Sequence, residues 1–433
     1  MKMSLFRVIL IGVFGLSAFI GLFVFATHNS SNSGSGGIGT VVIWGVLPKT
    51  EMQNILVGIA RDNPSMKDVS YVQKDERTLS VDLTSAIASG SPPDLVLASQ
   101  ESLLVLSKFI EPIPLSTLPV SAYTSTFIGG GEIFMSPSGA GYYGIPFLVD
   151  PLVLFSNRAI LSSSGVTMPP ATWEAFTGLV PRTALFTPTK QVTRGLVALG
   201  TYDNIRNARA ILSSFFLQTG VPIASYKNGI LVADLSGHSS GATPGQAVLN
   251  FYTQFADPSK VSYTWNASLP NSQQAFLAGD LALYIGYVSE ARYLRVANPN
   301  LDLQVSLLPQ LATATLKSTY GNIYAFMIPH GARNQSGAYQ AAALLTGNGP
   351  QTVAASAFGL APASLTPLAE VPSDPAGAVA YTEALYTAGW LSPLPADTDA
   401  IFSGMINSVI SGRLTPNTAL TTGGAALTAL LQK

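Results

Sequence analysis

Residues 142–157 read YYGIPFLVDPLVLFSN. From Ile145 to Phe155 the stretch is apolar except at Asp150, which reads as a buried strand, and its length suits one that crosses between two lobes. A carboxylate held between Val149 and Pro151 in such a strand needs a partner, because a buried charge without one is costly. A network of ligand hydroxyls would supply it, and so would a structural hydrogen bond at the hinge.

Toward the N-terminus the chain alternates between strand and helix patterns. Val41, Val42, Ile43 and Trp44 form a short apolar strand ending at Gly45. Thr50 and Gln53 have capping-box spacing for a helix whose Met52, Ile55, Leu56, Ile59 and Ala60 share one face. Asp62-Asn63-Pro64 stops it, and Val69 to Val72 is a second strand. Leu79, Leu83, Ala86 and Ile87 mark a second amphipathic helix, with Gly90 where a C-terminal cap belongs. A third strand, Leu95 to Ala98, precedes a third helix at Leu103–Ile110. Such alternation implies a parallel sheet covered by helices on both faces.

Toward the C-terminus, Thr172-Trp173-Glu174 begins a helix. Further helices are expected at Arg206–Gln218, Gly245–Phe255, Ser272–Leu277 and Gly337–Leu345, and strands at Leu281–Ile285 and Ile323–Ile328. The last stretch is helical with Gly and Pro breaks. No tandem repeat of fixed period is visible.

The 433 residues carry 22 Lys plus Arg and 23 Asp plus Glu, with 47% hydrophobic residues and no cysteine. The body exceeds what one core holds and suits two lobes. Near-zero net charge with no basic stripe argues against a nucleic-acid partner. Without cysteine there is no disulfide framework, thiol chemistry or Cys-zinc site. His28, His238 and His330 are too scattered for metal-ligand spacing. No cofactor or metal is expected. Charged residues make up only 10%, which favours a neutral ligand over a peptide or polyamine.

Val8 to Ala26 is apolar apart from Ser17 and follows Lys2 and Arg7. As a helix it covers about 28 Å, close to a bilayer's hydrocarbon thickness. The positive flank belongs on the cytoplasmic side, so the body is expected outside. Phe25-Ala26-Thr27 is a poor cleavage site, which favours an uncleaved anchor over a removed signal. Residues 27–39, THNSSNSGSGGIG, read as a flexible tether.

The order of these segments resembles the extracellular solute-binding proteins of ABC importers, in the sugar-binding group that includes maltose-binding protein. VVIWG (41–45) leads into a helix as in that family. IASGSPPDLVLAS (87–99) is similar to its Gly-Pro-Asp turn and strand, and FIEPIPLS (109–116) to its following segment. The most specific block is YGIPFLVDPLVLFSNRAILSSSGVTMPPATWEAF (143–176). QQAFLAGDLALYIGY (273–287) and NIYAFMIPHGARNQSGAYQAAALLT (322–346) also match in order. Ser156 departs from the family's usual Tyr, and the N-terminal anchor replaces a lipidated Cys. The resemblance implies an α/β, two-lobed periplasmic-binding-protein fold of type II with hinge-crossing strands, here preceded by a transmembrane helix.

It also implies closure of the lobes over a ligand. Aromatic rings would cover the apolar faces of a sugar, while carboxylates, amides and arginine would bind its hydroxyls. Ligand groups should lie in loops at strand C-terminal ends, facing the cleft. The candidates are Trp44, ending the first strand; Ser99, Gln100 and Glu101 after the third; Asp150; Asn204; Tyr287 after Leu281–Ile285; Tyr320 and Tyr324 around the return crossing; and Trp390 in GWLSP. Core packing is the competing role for each aromatic, a helix cap for Ser99 and a turn for Asn204. Trp173 is read as structural. Asp150 and Glu101 could be drawn as a glycosidase pair, but no GxSxG, Walker, GxGxxG or HExxH motif occurs, and no enzyme is expected.

The expected organisation is a stub at 1–7, an anchor at 8–26, a linker at 27–39, a first lobe at 40–150 and 315–350, and a second at 151–314 and 351–433. The expected role is a monomeric membrane-tethered receptor that passes a small solute, a sugar, to an ABC permease. A sensory ectodomain signalling through a partner protein is the alternative.

Overall fold

The computed structural model describes residues 37–237, 243–314 and 316–433. The anchor expected at residues 8–26 lies outside them, and among the described residues no helix is long and apolar enough to cross a membrane.

Eight strands organise the fold: β1 (Val41–Gly45), β2 (Val69–Gln73), β3 (Leu95–Ser99), β4 (Ile145–Asn157), β5 (Val192–Val197), β6 (Leu281–Tyr287), β7 (Leu303–Ser306) and β8 (Thr319–Met327). They lie in the order β2-β1-β3-β8-β4-β6-β5, with β1 parallel to both β2 and β3. Every residue of β4 is buried. Its neighbours change along its length. Residues 145–151 pair with β8, and Leu148 and Val149 also pair with Pro362 and Ala361. From Leu152 onward the partners are β6 on one edge and β7 on the other. One long strand therefore belongs to two sheets, one in each lobe, and the switch falls at Asp150–Leu152. That continuous burial explains why β4 reads as an apolar run rather than an alternating one.

Local signals set most element ends. Gly90, at φ +71°, follows the helix Leu79–Ala88, where a residue with a Cβ would be strained. The helix Lys49–Asp62 starts from Pro48, not from a capping box: no side chain caps it, and the Lys49 amide instead donates to Gln73 Oε1 at 3.0 Å. The helix expected from Arg206 begins at Ala208, because Asn207 adopts φ +62° and the Arg206 amide donates to Ser272 Oγ. The third helix is shorter than expected, Leu103–Leu106 followed by a 3-10 turn at Ser107–Phe109.

Residues 351–364, expected in the second lobe, join the first. The helix Asn348–Phe358 packs on Lys49–Asp62, Ala361–Pro362 extends the first-lobe part of β4, and the Ile128 amide donates to Ala363 O. The helix Leu365–Leu368 still packs on the first-lobe helix Val120–Thr126, and we therefore place the return to the second lobe after residue 368. Beyond it, the helices Pro395–Ile410 and Pro416–Leu431 pack on each other. The latter also covers the hairpin Ile223–Lys227/Ile230–Asp234 of the second lobe.

Candidate functional site between the lobes

The β4/β8 crossing carries the centre of the cleft. Asp150 lies opposite Asn322 of β8 and is 4% exposed. Its carboxylate accepts from the Ser289 amide (3.1 Å) and the Ser289 hydroxyl (2.7 Å), at the start of the helix Glu290–Ala297. Burial pushes its pKa up to about 7, against the Ser289 hydrogen bonds. Tyr287 and Tyr324 flank it. Burial raises both phenols, with the charge of Glu101 adding to the effect at Tyr287 and that of Asp150 at Tyr324.

The first lobe contributes the end of β3. Ser99 donates to Glu76 Oε1 at 3.2 Å, and burial raises the Glu76 carboxyl. Glu101 reaches across the cleft to Arg209 of the helix Ala208–Gln218, whose Nε donates to Asp399 Oδ1 at 3.1 Å. The Tyr202 hydroxyl donates to Asp399 as well, at 2.7 Å. Glu101 Oε1 is buried without a hydrogen-bond partner among the described residues, and burial raises its carboxyl in spite of Arg209.

Beside Ser289, the second-lobe wall holds a groove of ≈ 370 Å³ lined by Arg206, Gln273, Glu290 and Tyr293. Glu290 is fully engaged there. It accepts from Asn207 (2.6 Å), Gln273 (2.6 Å), the Tyr284 hydroxyl (2.5 Å) and the Tyr287 amide (3.1 Å).

The structure brings five of the expected site residues near one another around the crossing strands: Ser99, Glu101, Asp150, Tyr287 and Tyr324. The others have internal work. Gln100 clamps β8, donating to Gly321 O (3.0 Å) and accepting from the Ile323 amide (2.6 Å). Asn204 donates to Asn266 O and Leu269 O and accepts from Thr201 and Trp265, which exhausts its amide. Trp390 is 2% exposed and donates to Ser213 Oγ, while Tyr320 is 1% exposed within β8. Trp44, near the end of β1 and paired with Val96, lines a groove with Asp94, Arg333 and Asn334, and Lys74 Nζ sits 3.8 Å from its ring centroid. Sequence reasoning missed Glu76, Arg209, Ser289 and Asp399. Arg209 and Asp399 stood in recognised segments, but only tertiary packing turns them toward the crossing strands.

Asp150 also makes stability pH-dependent. Folded, it holds its proton to about pH 7, whereas an unfolded Asp releases it near 4. In that window the unfolded state binds fewer protons, so stability falls as pH rises from about 4 to about 7 and is level above. Glu383, buried and raised to about 8, adds a similar slope. Asp150→Asn is expected to flatten the part below pH 7 in urea midpoints. An unchanged slope would assign it to the other raised carboxyls, Glu76, Glu101 and Glu383.

A profile of the bacterial extracellular solute-binding proteins matches residues 66–352. That span is more than half of the chain, and the chain belongs to this family. No curated protein sequence matches it. A cyclo/maltodextrin-binding protein complexed with maltotetraose superposes with a TM-score of 0.72 at 14% identity, covering 93% of this chain and 99% of that one. The cyclic alpha-maltosyl-1,6-maltose binding protein from Arthrobacter globiformis gives 0.73 at 14% identity, over 91% and 99%. The maltose/maltodextrin-binding domain from Bdellovibrio bacteriovorus bound to maltotriose gives 0.64 at 16%, over 91% and 100%. At such identities the likeness establishes the fold, a two-lobed α/β architecture of the periplasmic-binding-protein type.

Proposed function

We propose that the chain is an extracytoplasmic receptor that closes over a carbohydrate and hands it to an ABC permease. The observation that carries this reading is the meeting of carboxylates, tyrosines and an arginine from both lobes around the strands that cross between them. Acceptor-rich carboxylates suit sugar hydroxyls, and tyrosine rings suit the C–H faces. The structural neighbours complexed with maltotetraose and maltotriose support the same ligand class. The apolar run Val8–Ala26 supports a tether that keeps the receptor near a membrane partner. The role is binding, and no catalytic step is proposed.

Calorimetry of the full-length chain against mono- and oligosaccharides tests the reading. Saturable binding of at least one sugar is the expected result. Binding of peptides or ions with silence across all sugars would overturn it.

A further inference from the structure

The cleft is far more acidic than the chain around it. The protein's net charge is −1. Yet Glu76 and Glu101 from the first lobe, Asp150 from the crossing strand and Asp399 from the second lobe converge where Arg209 is the cation bonded to Glu101 and Asp399. Glu101 feels the charge of both Glu76 and Asp399. Its side chain is only 7% exposed, and its Oε1 lies buried in the interlobe contact with no donor among the described residues. Glu76 accepts from the Ser99 hydroxyl and is also hydrogen-bonded by Ser102, yet burial still raises its carboxyl.

A neutral sugar can donate hydrogen bonds to such oxygens but brings no charge, so the carboxylates would still repel one another in a closed, poorly solvated cleft. An ammonium group brings three donors and a positive charge together, and charge-assisted hydrogen bonds to carboxylates are about twice as strong as neutral ones. Arg209 already shows that a cation fits between the lobes, and it balances only one of these acids.

We propose that the cleft selects sugars bearing a free amine, whose ammonium group sits among Glu76, Glu101 and Asp399 beside Arg209. This rests on the carbohydrate reading above and narrows it. The low overall charge that favours a neutral ligand is a property of the whole surface, whereas the cleft gathers acids that lie far apart in the sequence.

The test is calorimetry of the full-length chain with matched pairs: glucosamine and glucose, galactosamine and galactose, and chitotriose in its fully deacetylated and N-acetylated forms. Members of a pair share a sugar skeleton and differ at the amino position. The expected result is that the amine-bearing member of a bound pair binds at least about tenfold tighter. Glu76→Gln and Glu101→Gln should each reduce that preference severalfold, with thermal midpoints reporting whether the variants fold. Asp399→Asn, at a more exposed carboxylate, supplies the same readout should Glu101→Gln fail to fold. Equal or tighter binding of the neutral members, or binding of maltotriose with none of the amines, overturns the inference and leaves the carbohydrate reading intact. Silence across every sugar overturns both.

Discussion

Arg209→Ala is expected to drive the lobes apart. Arg209 is 18% exposed and Glu101 7%, so the pair is desolvated, and breaking a buried pair by deleting one partner typically costs about 3–5 kcal/mol. Asp399, 47% exposed, adds little, because solvent screens it. Glu101 would be left with neither oxygen partnered. Opening of the cleft lets that carboxylate rehydrate, which caps the loss of stability at the free energy of opening. The radius of gyration of the ligand-free protein should therefore rise, with a smaller fall in the denaturation midpoint. Combining the change with Glu101→Gln should recover most of the loss, since removing both charges avoids the orphaned one. An Arg209→Ala protein with unchanged dimensions and midpoint would mean that the bridge does not hold the lobes.

Trp173→Ala should produce the largest loss of global stability, about 3–5 kcal/mol. The indole is fully buried, packed against Phe176 and Phe215 at centroid distances of 5.3 and 4.5 Å. Its Nε1 donates to Gln218 Oε1 at 2.7 Å, and Gln218 in turn donates to Pro309 O and Ser318 O. Those carbonyls lie on the segment that leads into β8. The substitution therefore leaves a cavity and also frees the amide that fastens the return crossing. Urea unfolding measures the loss; a cost under about 1 kcal/mol would mean that the second lobe repacks around the gap.

The legible parts of the fold share a physical cause. β4 announced itself because a strand buried on both faces must be apolar throughout, and Asp150 stood out as the single charge in it. Gly90 marked a helix end because only glycine tolerates that backbone angle without strain. Residues 351–364 were misread because their helix carries no mark of the lobe it packs on; the decision is made by Ala361–Pro362 pairing with Leu148 and Val149. Trp44 reads as a cleft residue by its place at a strand end, and its ring carries Lys74 Nζ on one side and lines a groove with Asp94, Arg333 and Asn334.

The sequence by itself determined the alternation of elements, the crossing strand, the family resemblance and the buried carboxylate at the hinge, because each depends on neighbouring residues or local periodicity. Only the tertiary structure decided which polar groups face the cleft. Gln100 and Glu101 are adjacent, yet one clamps the backbone of β8 and the other spans the lobes to Arg209. That division depends on partners more than a hundred residues away, and side chains one position apart point in different directions for reasons that no local pattern records.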